Sequence, residues 1–248
     1  MTYDLSHTAA IILAAGRGSR MKAKSKNKVA FKLNGQPMVA YTVDHLLEAG
    51  IKDIVAVVGF QAESVKAALK DRVKYVVQQE QLGTGDAIKT AVPSIGSNIE
   101  TVLTVYGDDS AFYPVSLFEA MVEKKETEKC ELLFLTIRKE DPTGLGRIVR
   151  DDSGKVARIV EEKNATEEER QIKEINTGFY CFDKQFLVDH IADTQNDPLS
   201  GEYYLTDMVE IALSNGKKVE AFLVEDDSIW HGVNNRSDLV SAQKKIKS

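Results

Sequence analysis

At 248 residues, with 43% hydrophobic and 28% charged side chains, the chain has the make-up of a globular protein with a sizeable buried core, and intrinsically disordered and fibrous classes are excluded. Its formal charge of −6 argues against nucleic acid as a general partner, because no basic stripe lies outside one short segment near the N terminus. Cys130 and Cys181 form no Cys-x-x-Cys pair, and His7, His45, His190 and His231 lack metal-ligand spacing. Two buried reduced thiols and no zinc site are therefore expected.

Residues 9–14 are a continuous apolar strand, too short to span a bilayer and without a basic region before it, so no membrane partner is expected and a cytoplasmic location follows. Pro37 opens a helix through Leu47 that stops at Gly50, proline at the start and glycine past the end. Ile54–Val58 is a second buried strand, followed by a short helix near Glu63–Leu69. Val73–Val77 is a third strand, with a helix after Gly83-Thr84-Gly85. Thr101–Tyr106 is a fourth, ending at Gly107-Asp108. A helix from Val115 to about residue 125 precedes a fifth strand, Glu131–Ile137. Apolar strands separated by helices predict a parallel sheet covered on both faces.

The pattern changes after Pro142. Arg147–Arg150 and Val156–Glu161 flank Asp151-Asp152-Ser153-Gly154 and read as a β-hairpin. Thr166-Glu-Glu-Glu169 is a capping box opening a helix with a solvated acidic face. Phe179–Phe182 returns to a strand, helices are expected over about 184–192 and 203–214, and Val219–Val224 is a last strand before a polar C-terminal helix starting near Asn235. The fold class expected is α/β: one domain over residues 1–248, a Rossmann-like doubly wound mixed sheet with a partly antiparallel lobe inserted after the fifth strand.

The first strand runs into Ala14-Ala15-Gly16-Arg17-Gly18, and the segment from Arg17 to Lys32 carries seven cations (Arg17, Arg20, Lys22, Lys24, Lys26, Lys28, Lys32) and no carboxylate. A local reversal of sign on an acidic chain points to an anionic partner, and backbone amides bared by small residues suit phosphate. The loop is not the dinucleotide fingerprint, since Met21 holds the third glycine position, which removes an NAD-dependent dehydrogenase. It is not a Walker A loop either, since no Gly-Lys-Ser/Thr follows.

Leu13-Ala-Ala-Gly-x-Gly-Ser-Arg-Met21, Lys28 and Gly35-x-Pro37-Met38 together resemble the sugar-1-phosphate nucleotidyltransferases. Gln78-x-x-Gln81-Leu-Gly83-Thr84-Gly85, Tyr106-Gly107-Asp108, Asp141-Pro-Thr-Gly-Leu-Gly-Arg-Ile148 and Ile159-Val-Glu161-Glu-Lys163 extend the likeness. So do Glu174-Ile-Asn176-Thr-Gly178, Gly201-Glu-Tyr-Tyr-Leu-Thr-Asp207 and Gly232-Val-Asn234-Asn235-Arg236. Their order and spacing are similar to the uridylyltransferase half of the bifunctional N-acetylglucosamine-1-phosphate uridylyltransferases. No hexapeptide-repeat acetyltransferase half is expected with this chain, and without that trimer-forming part a monomer or small homo-oligomer is expected.

The resemblance implies Mg²⁺-dependent attack of N-acetylglucosamine-1-phosphate on the α-phosphorus of UTP, giving UDP-N-acetylglucosamine, a cell-wall precursor, and pyrophosphate. The nucleophile is already ionised, so the work is to align two polyanions and stabilise moving charge, not to remove a proton. The resemblance puts Arg20 and Lys28 in the catalytic role, with Lys22, Lys24 and Lys26 as steering charges. It puts the nucleotide on Leu13, Ala14, Ala15, Gly16, Gly18, Gln78, Gly83 and Thr84. The sugar falls to Tyr106, Gly146, Glu161 and Asn176, near which Thr84 also stands. The metal falls to Asp108 and Asn234. Read without the family, Tyr106 and Asn176 are packing and turn residues and Glu161 a hairpin-end charge. Other readings are transfer to a different sugar-1-phosphate, or a catalytically silent nucleotide-sugar-binding regulatory module.

The chain departs from the family pattern in several places. Asn27 stands where Pro usually precedes the lysine, and the loop from Met21 to Lys28 is one residue longer, so a looser approach to Lys28 is expected. Asp109-Ser110-Ala111 replaces Val-Pro-Leu, which puts an extra carboxylate next to Asp108 in sequence, where it is expected to influence the metal or the phosphates. Ser19 replaces Thr, and Asn164 replaces an Asp after Lys163.

Overall fold

The computed structural model describes residues 3–18, 21 and 25–246. Strand β1 (Thr8–Ala14) is buried at every position, and period-2 alternation sends its side chains into two different cores. Ala10, Ile12 and Ala14 enter one, with Val39, Val43 and Leu46 of α1 (Met38–Glu48) and Phe118 and Met121 of α4 (Val115–Glu128). Ala9, Ile11 and Leu13 enter the other, with Ala87, Ile88 and Ala91 of α3 (Thr84–Ala91) and Met208, Val209 and Ala212 of α7 (Asp207–Ser214).

The remaining strands are β2 (Lys32–Leu33), β3 (Gln36–Pro37), β4 (Asp53–Val58), β5 (Lys74–Val77), β6 (Thr101–Tyr106), β7 (Leu132–Arg138), β8 (Arg147–Arg150), β9 (Val156–Val160), β10 (Glu174–Asp183) and β11 (Val219–Val224). The large sheet runs β11-β7-β10-β6-β1-β4-β5, with β8 and β9 attached beside β10. β4, β1, β6 and β5 are parallel neighbours, β10 is antiparallel to both β6 and β7, and β11 is parallel to β7. The sheet is therefore mixed and doubly wound, as the sequence predicts.

The order of the strands locates the ligand site. From β1 the chain moves outward to β4 and β5, then returns through α3 to place β6 on the other side of β1. That reversal opens a crevice at the carboxyl ends of β1 and β6. The ladder of β10 is also interrupted between Asn176 and Tyr180, an irregularity that re-aims the chain beside this crevice.

Two expected elements differ. The helix expected from residue 203 begins at Asp207, because Tyr203 spends its backbone elsewhere: its N–H donates to Leu82 O at 2.7 Å and its carbonyl accepts from Gly85 N at 2.8 Å. The strand expected over 179–182 runs from Glu174 to Asp183, with polar residues in its first half. The Thr166–Glu169 capping box is present but caps a single turn, α5 (Glu167–Arg170). The remaining helices are α2 (Ala62–Leu69), α6 (Lys184–His190) and α8 (Arg236–Lys245). Both cysteines are free and buried. Among the described residues no helix is long and apolar enough to cross a membrane.

Candidate active site

A cavity of about 590 Å³ opens at the crevice, lined by the end of β1 and its glycine turn (Leu13 to Gly18), by Lys28, by Gln78, Gln81, Gly83 and Thr84, and by Tyr106, Asp108 and Asn234. Twelve of the residues the sequence assigns are thus brought to one hollow: Leu13, Ala14, Ala15, Gly16, Gly18, Lys28, Gln78, Gly83, Thr84, Tyr106, Asp108 and Asn234. Arg20, Lys22 and Lys24 lie outside the described residues.

Three parts of the chain converge at the cavity mouth. The Lys28 ammonium forms an ion pair with Asp108 Oδ2 and reaches Asn234 Oδ1 at 3.4 Å. Asp108 follows β6. Asn234 is carried there by two ties: Val233 N donates to Asp108 O at 3.1 Å, and Asp238 of α8 accepts from the Asn234 and Asn235 amides at 2.8 and 3.0 Å. The capping box of α8 therefore sets the loop that holds Asn234. Gly18, at φ +56°, lies against Lys28: a Cβ there would sit 3.1 Å from Lys28 Cβ. Only glycine combines that backbone with that approach.

Asn27 is anything but loose. Its side chain is 1% exposed, and Nδ2 donates to the carbonyls of Ala14 (3.0 Å), Gly16 (3.2 Å) and Phe60 (2.7 Å). Oδ1 accepts from Val29 N at 3.1 Å, capping the 3-10 turn Lys28–Ala30, and Asn27 N donates to Ser64 Oγ at 2.9 Å. Its φ of −64° and ψ of 148° are values a proline adopts. Hydrogen bonds reach the geometry that a ring would impose, so the expected looseness before Lys28 is corrected.

Asp109 is the second correction. It turns inward, 7% exposed, accepting from Trp230 Nε1 at 3.2 Å, while its other oxygen has no partner. It does not line the cavity. Burial first, and the neighbouring Asp108 second, hold its carboxyl well above the ordinary aspartate range. Adjacent side chains diverge, so this carboxylate faces Trp230 and not the cavity, and it meets Asp108 and Lys28 only through their charges.

Gly146, Glu161 and Asn176 do not line the main cavity, but they cluster at one end of the inserted lobe. A Cβ on Gly146 would lie 3.6 Å from Glu161 Oε1 and 3.7 Å from Asn176 Cβ. Asn176 acts as a turn former: Nδ2 donates to Tyr180 OH at 2.6 Å and Oδ1 accepts from Gly178 N at 3.0 Å. Gly178, at φ +82°, lies under the Tyr106 ring, whose Cε2 would be 1.9 Å from a Cβ there. Tyr106 thus joins the cavity to the lobe through the irregular stretch of β10. Burial raises the Glu161 carboxyl, Lys163 opposing, and raises the Tyr106 phenol, with Glu161 adding to that shift. Glu161 also lines a smaller hollow of about 260 Å³ with Asn164, Asn196 and Asp207.

Sequence reading passed over several residues here. Arg17 and Gln81 line the cavity, and Arg17 Nε donates to Gln81 Oε1 at 3.1 Å. Glu202 lines it as well. Gln78, 4% exposed, is held by Asp86, whose Oδ2 accepts from Nε2 at 2.7 Å. Gln81 and Glu202 lie inside the family-like motifs at 78–85 and 201–207, which is the available signal. Asp86 had none, because its partner is fixed only when α3 folds back beside β5.

A doubly wound α/β protein with a glycine-turn cleft at the switch point of its sheet is the class these observations define. The chain belongs to the nucleotidyl transferase family, whose model matches residues 9–248. It is 43% identical over 238 residues to the bifunctional protein GlmU of Geobacillus sp. (strain WCH70), covering 96% of this chain and 51% of that protein. It is 44% identical over 235 residues to the bifunctional protein GlmU of Limosilactobacillus fermentum, covering 95% and 51%. The chain therefore spans about half the length of these curated relatives. A crystal structure of a Bacillus anthracis protein, described as a glucose-1-phosphate thymidylyltransferase with a sucrose bound, shares the fold at a TM-score of 0.79. Sequence identity is 22%, and 96% of this chain and 94% of that one are covered.

Proposed function

We propose that the chain is a single nucleotidyltransferase domain that transfers the uridylyl group of UTP to N-acetylglucosamine-1-phosphate, releasing UDP-N-acetylglucosamine and pyrophosphate. The observation that carries this reading is the meeting of Lys28, Asp108 and Asn234 at the mouth of a cleft floored by the Ala14–Gly18 turn. The motif resemblance and the relatives at 43–44% identity support it.

In the step proposed, a phosphate oxygen of the sugar-1-phosphate forms a bond to the α-phosphorus, and the α–β bridging bond breaks. Its electron pair leaves with pyrophosphate. No general base is needed, because the attacking oxygen is ionised at neutral pH. The chain's contribution is alignment and charge: amides of the glycine turn face the triphosphate, and Lys28, with Arg20, offsets repulsion between the two anions. Tyr106, Gly146, Glu161 and Asn176 are assigned to the sugar side.

Asp108 and Asn234 fit a divalent cation. Their oxygens, one anionic and one neutral, already converge on a single positive charge, the Lys28 ammonium, and a small set of hard oxygen donors completed by water and phosphate suits Mg²⁺. Bound there, Mg²⁺ would supply charge neutralisation to the phosphoryl groups. The reading takes the chain as a cytoplasmic protein, a monomer or small homo-oligomer.

The test is pyrophosphate release from a panel of nucleoside triphosphates and sugar-1-phosphates, with and without Mg²⁺. UTP with N-acetylglucosamine-1-phosphate should give the highest kcat/KM. A higher value with glucose-1-phosphate would overturn the sugar assignment, and no release from any pair would overturn nucleotidyl transfer by this chain in favour of a silent binding module.

A further inference from the structure

We propose that Asp86 is a positioning residue that sets the base preference of the nucleotide site by fixing which end of the Gln78 amide faces the cavity. The inference rests on the nucleotide-binding reading above and concerns a residue that does not line the cleft.

Gln78 follows β5, and its backbone is anchored where Gln78 N donates to Val58 O at 2.8 Å. The two hydrogens on Nε2 are both used: one faces Gly83 O at 3.0 Å, the other Asp86 Oδ2 at 2.7 Å. Those partners are a carbonyl and a carboxylate, and neither has a hydrogen to give. Turning the amide over would set Gln78 Oε1 against both oxygens at those separations, with no proton between them. The chemistry of the two partners thus permits one orientation only.

The consequence falls on the other end of the amide. Among the described residues Oε1 accepts no hydrogen bond, and it is not among the sealed, unpartnered buried atoms, while Gln78 lines the cleft. Gln78 therefore offers an incoming base an acceptor and withholds its own donors. The carboxylate behind the amide polarises it and strengthens that acceptor. A pyrimidine with a hydrogen on N3, uracil or thymine, satisfies it. Cytosine places a nitrogen lone pair at N3, so the Gln78 oxygen meets a second acceptor there and its hydrogen bond is lost, the kind of mismatch by which a polar site discriminates.

Asp86 also stands in the first turn of α3, where a negative charge stabilises the helix N-terminus. That role moves stability but does not move a preference between two bases. The two are separable by experiment. We expect wild-type protein to bind UTP at least about 100-fold more tightly than CTP in calorimetric titrations, with the same order in kcat/KM for pyrophosphate release. Asp86→Asn puts an amide where the carboxylate was, so a turned-over Gln78 finds a donor for Oε1. Its UTP-to-CTP ratio should fall by about tenfold or more, partly through a gain on CTP. Asp86→Ala leaves Gly83 O as the one remaining guide and should lose less of the ratio. Asp86→Glu keeps an acceptor-only partner and should restore most of it. Melting curves report the helix effect separately.

A ratio unchanged within about twofold in Asp86→Asn and Asp86→Ala would overturn the inference, as would equal binding of UTP and CTP by the wild-type protein. Preferential UTP binding without any pyrophosphate release would overturn the transfer reading and leave this one standing.

Discussion

Replacing Asn27 by alanine removes one carboxamide that touches four backbone groups and nothing else in common. Each N–H···O bond contributes about 1 kcal/mol, and a buried carbonyl left without a donor costs about 1–3 kcal/mol. The amide has two hydrogens to share among the carbonyls of Ala14, Gly16 and Phe60, and its oxygen caps the turn at Val29 N. Because the segment relaxes toward solvent in part, the loss should be about 2–4 kcal/mol. For a chain of this size each kcal/mol moves the melting midpoint by about 2–4 °C, so a fall of about 4–16 °C is expected. Turnover should fall too, since these bonds set the backbone from which Lys28 reaches Asp108, and displacement of a charged group by about 1 Å costs up to about 100-fold. Asn27→Asp is the sharper variant. It keeps the shape but turns two donors into acceptors facing three carbonyls, so it should be less stable than Asn27→Ala at neutral pH. The buried acid's pKa would be raised in the folded state, so the deficit should shrink as the pH falls and the proton is taken up. The assays are thermal melting across pH and pyrophosphate release at saturating substrates. A midpoint within about 1 °C of wild type and unchanged turnover in Asn27→Ala would refute the reasoning.

Three further outcomes are expected. Asp108→Asn should lower pyrophosphate release by about 100-fold or more with the melting curve preserved, and near-normal release would remove Asp108 from the reaction. Gly178→Ala forces a methyl group into the Tyr106 ring at a residue with φ +82°, so chemical denaturation should register a loss of about 2–4 kcal/mol, and KM for the sugar phosphate should rise. Burial would raise the Glu174 carboxyl, but hydrogen bonds from Arg150 at 2.6 and 2.9 Å and Thr136 at 2.8 Å outweigh it, and its pKa is lowered. Its stabilisation is therefore complete above the ordinary glutamate pKa and is lost as the pH falls through the depressed folded value. Glu174→Gln should be destabilised by about 1–2 kcal/mol at pH 7 in urea titrations, and the gap should narrow as the pH falls below the ordinary glutamate range.

Much of this was legible in the sequence, and the reasons differ by element. The β1, β4 and β6 strands are predominantly apolar, without alternation, because they are buried on both faces, a pattern distinct from that of a solvated hairpin. Gly18, Lys28 and Asp108 carry their chemistry in residue type. What could not be read was direction. Asn27 and Asp109 each neighbour an assigned residue, yet one is drawn under the glycine turn by three carbonyls and the other is drawn inward toward Trp230. The start of α7 was set by Tyr203, whose backbone bonds to Leu82 and Gly85 about 120 residues earlier in the chain lie beyond any local pattern. Asp86 likewise gains its meaning only from a contact that the sheet order creates.

The ion pair between Lys28 and Asp108 bears on which anions the proposed site would accept. With the ammonium resting on the carboxylate, these two charges largely offset one another. A lone inorganic phosphate that captured Lys28 would bare a partly buried carboxylate beside its own negative charge, a poor exchange. On the proposed reading, a nucleoside triphosphate would meet the same cost with contacts spread along the glycine turn and at Gln78, and the pair would act as a threshold against small anions.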